Sequence, residues 1–200
     1  MAASVDFLRR GVLPALLVLL AGCASLAPAP STLTGGSVAA QAVASYHGRF
    51  AVRYADNNGV ERNVYGNFEL LQHGDTATLQ LINPLGQTLA RVVASGHGAT
   101  LELPGQTPRG APDVETLMQR AIGFPLPIDG LRYWLKPAPA PHSEAQTTID
   151  PGTGRLAQIR QDGWTIDYLG YTDDSAASAI KRLNLTRADP ALDVKLVLDQ

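Results

Sequence analysis

A period of two runs from Tyr46 almost to the end of the chain, and it constrains the fold more than any other feature. In "HGRFAVRY" the residues Phe50, Val52 and Tyr54 share one side of an extended chain, with Arg49, Ala51 and Arg53 on the other. "NNG" (57–59) supplies the positive-φ residues of a tight hairpin. "VERNVYGNFELL", "TATLQLI", "QTLARVVA" and "ATLEL" continue the pattern, each closed by a short turn such as "QHGD" or "SGHG". After residue 144 it resumes in "AQTTID", "RLAQIRQ", "WTIDYLGY", "IKRLNLTR" and "LDVKLVLD". About ten short strands joined by close turns specify an antiparallel meander that curls into a barrel or a deeply curved sheet. Each strand has one apolar face, so the other face stays wet.

The pattern breaks once, after the Pro- and Gly-rich "PGQTPRGAP". In "DVETLMQRAIG" the residues Val114, Leu117, Met118, Ala121 and Ile122 follow i, i+3, i+4, i+7, i+8, with Gly123 in place as a C-terminal cap. "FPLPIDGLRYWLKP" adds a shorter helical piece bounded by prolines, with Ile128, Leu131, Trp134 and Leu135 apolar. Inserted into a curved sheet, this helical segment is placed to cover one mouth.

The first 22 residues have the form of a targeting segment. Arg9 and Arg10 precede the apolar "GVLPALLVLL", which is too short to span a bilayer, and "LAGC" (20–23) follows. That tetrapeptide resembles the bacterial lipobox, in which the cysteine is diacylated through sulfur and the new amino group after cleavage is acylated. Cys23 is the only cysteine, so no internal disulfide, thiolate metal site or redox pair can be built. Ala24 is not the aspartate that retains enterobacterial lipoproteins at the inner membrane, so the resemblance implies the periplasmic face of the outer membrane. Residues 23–44 read as a lipidated terminus and tether, within which "SVAAQAVAS" is suited to helix, and residues 45–200 as one domain. Cleavage would remove Asp6, Arg9 and Arg10 and leave 14 basic against 17 acidic side chains, a net charge of −3 that offers no footprint for nucleic acid.

Catalytic and metal-binding signatures are sparse. His47, His73, His97 and His142 have no second ligand at metal spacing, and no nucleophile elbow, phosphate loop or dinucleotide fingerprint occurs. Glu61, Glu69, Asp167 and Asp193 alternate along strands as solvated faces do. The reading is a non-enzyme without metal or cofactor, although a carboxylate pair assembled only by the fold would escape it. Aromatic and aliphatic residues offer more. Leu131, Tyr133 and Trp134 on the helical segment, with Trp164, Ile166 and Tyr168 on a strand, are candidate walls of a cavity, the alternative being plain core. In "LQLINPLGQTLARV" (79–92) Leu85 stands at a turn tip, where a large apolar side chain forgoes burial worth roughly 1.5–3 kcal/mol.

From "GRFAV" to "KLVLD" the domain resembles the outer-membrane lipoprotein receptors of the LolB family. "LQLINPLG" (79–86), "LPIDGLRYWL" (126–135) and "GWTIDYLGY" (163–171) carry the resemblance in order. "KP" (136–137) stands where the family commonly has a glycine, and the end at "LDQ" lacks a frequent tryptophan. The resemblance implies an incomplete antiparallel barrel of about 10–11 strands, closed by helices over an apolar cavity for acyl chains. It implies a monomeric receptor that accepts lipoproteins from a periplasmic LolA-like carrier and inserts them among the outer-membrane lipids. Leu85, with Pro84 and Gly86 shaping its loop, matches the family's membrane-delivery leucine; a leucine folded back onto a neighbouring strand is the alternative. The rival functions are a lipid-tethered envelope scaffold without a lipid cavity and a cell-envelope hydrolase.

Overall fold

The computed structural model describes residues 43–56, 58–175 and 178–199. The signal segment 1–22, Cys23 and nearly all of the tether expected over 23–44 lie outside the described residues. The alternation becomes eleven strands: β1 (Val43–Ala55), β2 (Glu61–His73), β3 (Thr76–Ile82), β4 (Thr88–Ser95), β5 (Gly98–Glu102), β6 (Arg109–Ala111), β7 (Ala145–Ile149), β8 (Leu156–Gln161), β9 (Trp164–Tyr171), β10 (Ile180–Arg187) and β11 (Leu192–Leu198). They form one antiparallel sheet in the order β6-β5-β4-β3-β2-β1-β11-β10-β9-β8-β7. Strand β1 pairs with both β2 and β11, which joins the two meanders, while β6 and β7 remain the edges of an open sheet. The architecture is the expected incomplete barrel.

Two local expectations are corrected. Strand β6 lies inside "PGQTPRGAP", where the sequence signals only a break; three residues are too few to show a period, and pairing of Ala111 with Ala99 on β5 makes the strand. Val43–Ser45, the end of the helix-suited "SVAAQAVAS", are extended and pair with Leu71–His73 of β2. Cross-strand hydrogen bonding there overrides the helical preference of alanine.

Helices α1 (Val114–Ile122) and α2 (Ile128–Trp134) interrupt the strands at the expected place. Asp113 caps α1 by accepting the Thr116 N–H at 2.7 Å, and that bond holds its carboxyl below the ordinary carboxylate range. Gly123 ends α1 in the left-handed conformation at φ 89°, as its position predicts. The inward residues of the strands and the apolar faces of both helices share one buried cluster.

Gly66 sets how closely the strands approach. A Cβ there would overlap the carbonyl oxygen of Ile82, at the end of β3, and would also crowd Asn83. We expect Gly66→Ala to force that end of β3 outward and to destabilise the domain by about 1–3 kcal/mol, read as a lower midpoint in urea unfolding.

Candidate functional site

The floor of the site is a patch of inward side chains on five neighbouring strands. Phe50 and Val52 on β1 face Leu196 and Val194 on β11, and Val194 in turn faces Leu185 on β10. On the other flank Phe68 and Leu70 of β2 face Leu81 and Leu79 of β3. Above this floor lie Phe124, Leu126 and Pro127 from the loop between the helices, then Leu131 and Leu135 from α2 and its C-terminal cap. Every residue lining the enclosed space is apolar, and the space measures about 30 Å³. That is the liquid share of roughly one water molecule, against about 300–1,000 Å³ for an occupied ligand pocket. In this conformation the lid is shut on the floor.

The two ends of the lid are held differently. Gln161, on an inward position of β8, is 3 % exposed and fully engaged. Its Oε1 accepts from Trp134 Nε1 at 3.0 Å and from the Ala140 N–H at 2.9 Å, while its Nε2 donates to the Ala140 carbonyl and to Ser143. Asp162 and Gly163, both at positive φ, make the two-residue turn that sets Trp164 opposite Gln161. Trp164 packs on Trp134 with ring centroids 6.4 Å apart. Tyr168 donates to the Trp134 carbonyl at 2.8 Å; burial first, and Tyr171 second, push its phenol well above the ordinary range, so it stays a donor. The C-terminal end of α2 is therefore clamped to β8 and β9. Toward its N-terminus the lid rests on apolar contacts, such as Phe124 against Tyr54 at 4.6 Å, whereas in the last turn of α2 Arg132 Nη2 donates to the Gly74 carbonyl at 2.9 Å. Glu115 on α1 meets Arg187 on β10 at 3.3 Å.

Among the aromatic and aliphatic candidates, Leu131 lines the enclosure. Trp134, Trp164, Ile166 and Tyr168 are buried together beside it, and neither they nor the half-buried Tyr133 line it. Gly130 explains the placement of Trp134: a Cβ there would lie 2.5 Å from the indole ring, so the ring covers a helical position that only glycine leaves open. Sequence reading missed Gln161. Its signal was a polar residue at an inward position of an alternating strand, two after the buried Ile159.

Leu85 stands apart from this enclosure and is 86 % exposed. Its loop is nonetheless closely hydrogen-bonded. The Gly86 N–H donates to the Asn83 carbonyl at 2.9 Å, Pro84 occupies the second position, and Gly86 takes φ 84°, which together make a type I turn followed by a left-handed residue. Asn83 Oδ1 accepts from the backbone N–H of both Leu85 and Gln87 at 2.9 Å. The side chain of Leu85 is held outward by a turn that makes no use of it. Among the described residues no helix is long and apolar enough to cross a membrane, and no group of three or more His, Cys, Asp or Glu side chains could hold a metal ion.

An open antiparallel sheet with a wholly apolar floor, a helical lid and an outward leucine on a hydrogen-bonded loop defines a binding protein for apolar chains. Comparison with known proteins narrows that class. The family model for the outer membrane lipoprotein LolB matches residues 44–200. The Outer-membrane lipoprotein LolB of Ralstonia nicotianae is 42% identical over 199 residues, covering 94% of each chain. That of Cupriavidus necator is 44% identical over 184 residues, covering 91% of this chain and 90% of its own. The crystal structure of a LolA superfamily protein from Nitrosomonas europaea is similar at a TM-score of 0.44, with 11% identity over 78% of this chain and 84% of that one. The chain belongs to the outer-membrane lipoprotein LolB family. Its place is the outer membrane.

Proposed function

We propose that this outer-membrane lipoprotein receptor takes lipoprotein acyl chains between the sheet floor and the segment 124–135, and releases them into the bilayer beside Leu85. The observation that carries this reading is an enclosure lined by apolar side chains alone. At about 30 Å³ it is shut, so entry of a chain requires the lid to lift from the floor at its lightly held end. The chains themselves supply the drive. Each methylene withdrawn from water is worth about 0.8 kcal/mol, so exposing a chain of roughly 15 methylenes in transit would cost on the order of 12 kcal/mol. Transfer from a soluble periplasmic LolA-like carrier therefore proceeds mouth to mouth, down a gradient of affinity that ends in the bilayer. Such transfer breaks no covalent bond, so it calls for no catalytic group or cofactor. In this reading the protein acts as a monomer, anchored through acylated Cys23 on a tether of about 20 residues that spans on the order of 25 Å.

A palmitoyl peptide with a photoreactive diazirine in its chain tests the site. Mass spectrometry of the labelled full-length protein should find adducts on floor and lid residues such as Leu70, Leu126 and Leu131. Adducts on Trp134, Trp164 and Tyr168 instead would move the site to the aromatic group. Absence of labelling would favour the tethered scaffold.

A further inference from the structure

The outward face of the sheet, opposite the lid, carries three cations outside any ion pair. Cross-strand pairing sets them close together: Arg49 on β1 lies opposite Val197 on β11, Val197 lies opposite Arg182 on β10, and Lys195 stands two residues before Val197 on the same face. All three are exposed, and none joins a salt bridge among the described residues. The guanidinium of Arg182 extends over Gly170 on β9, its Nε 3.4 Å from where a Cβ would stand. Of the carboxylates around them, Asp193 holds Arg53 at 3.2 Å and Asp167 accepts from Gln158 at 2.7 Å, while Glu69 and Asp199 lie one outward position beyond Asn67 and Val197. Ala51 stands between Tyr65 and Lys195 in one cross-strand row. Its small side chain leaves a depression of about 310 Å³ open to solvent, walled by Tyr65 and Lys195 and bordered by the paired Arg53 and Asp193. The Tyr65 ring is 65 % exposed.

We propose that this outward face is a docking surface for anionic phospholipid headgroups. Arg49, Lys195 and Arg182 meet the headgroup phosphates, and the Tyr65 ring, apolar in body and polar at its tip, sits at the headgroup level. Charge and the tether together select this occupant. Residues 23–42 separate the expected anchor at Cys23 from Val43, where β1 begins, and Arg49 follows six residues later on that strand. A tether of about 20 residues spans on the order of 25 Å, so lipid phosphate reaches the face as an intramolecular ligand. Each cation held near an anionic leaflet strengthens the contact roughly fivefold. Given the receptor function proposed above, a domain resting on its outward face holds the lid, which lies on the inward face, toward the periplasm and an incoming carrier. Delivery by Leu85, whose loop crosses the inward side of Gly66, then follows a roll of the domain on its tether.

The chain has three lysines, Lys136, Lys181 and Lys195, and Lys136 follows α2 on the lid, away from this face. The test places the full-length lipidated protein in phosphatidylethanolamine–phosphatidylcholine vesicles, with or without phosphatidylglycerol. Acetylation by a water-soluble succinimidyl ester is then followed at each lysine by mass spectrometry. Adding phosphatidylglycerol should slow Lys195 roughly fivefold while Lys136 stays unchanged, and high salt should remove the protection. Arg49→Gln with Arg182→Gln should restore most of the Lys195 rate. An equal Lys195 rate on both vesicles, equal slowing of Lys136, or protection that survives high salt overturns the docking surface. Protection that appears only when an acidic protein carrier is added also overturns it, in favour of a protein interface. If the double variant does not fold, the lipid and salt dependence of the unmodified protein decides alone. The photolabelling of floor and lid tests the receptor reading separately, so either can fail while the other stands.

Discussion

Replacing Leu85 with glutamate is expected to abolish most delivery to the bilayer while leaving the protein folded and able to receive cargo. The side chain is 86 % exposed and lines no part of the enclosure, so the substitution should move stability by less than about 0.5 kcal/mol. The turn that presents it is made by Asn83, Pro84 and Gly86 and survives the change. An acidic tip, however, resists entry into the acyl region by about 2.5–3.5 kcal/mol, which at roughly 1.4 kcal/mol per decade slows delivery on the order of 100-fold. Three measurements separate the steps: a thermal melt, transfer from carrier to receptor, and transfer from receptor to liposomes. Only the last should fall. Unchanged delivery would remove the membrane role from this loop, and a large loss of stability would mean that Leu85 is buried in solution.

The second large effect falls on the clamp. Gln161→Leu removes the acceptor of Trp134 Nε1 and of the Ala140 N–H together with the donor to Ala140 and Ser143. Each buried group left unpaired costs about 1–3 kcal/mol, and with partial hydration of the loop the sum should reach about 3–4 kcal/mol. For a domain of this size that lowers the melting temperature by roughly 10 °C. The floor, built on other strands, should stay packed. A shift of under about 2 °C would show that water replaces the amide and that the aromatic contacts alone hold α2.

These two residues differ in how far the sequence exposed them. Leu85 was legible because a turn tip bracketed by Pro84 and Gly86 is a local object: its geometry is made by the four residues that encode it, and an apolar side chain there has nothing nearby to bury it. Gln161 was visible only as a break in the inward alternation of β8. Its partners Trp134, Ala140 and Ser143 come from 18 to 27 residues earlier, and that separation erases any pattern. The same holds for Arg132, whose bond to the Gly74 carbonyl joins residues 58 apart in the chain.

The aromatic residues show where pattern reading stops. Trp134, Trp164 and Tyr168 lie on the inward or apolar faces that their spacing assigns, yet an inward face can border a cavity or another side chain with the same period. Gly130, the two-residue turn at Asp162 and Gly163, and the clamp at Gln161 draw Trp134 onto Trp164, and that contact gathers the aromatics beside the enclosure. Phe50, Val52, Leu79 and Leu196 border the enclosed space instead, because the lid segment 124–135 lies over their strands.

By itself the sequence determined the properties that repeat over a few residues. Alternation set the strands and their wet and dry faces, helical spacing with Asp113 and Gly123 set α1, and the bracketed turn set the Leu85 loop, because each is stabilised by neighbours in the chain. Tertiary structure decided which strands became edges, that Val43–Ser45 and Arg109–Ala111 pair as strands, and which apolar faces meet under the lid. Those outcomes depend on hydrogen bonds and packing between segments distant in sequence, where a residue's partner, not its own pattern, sets the energy.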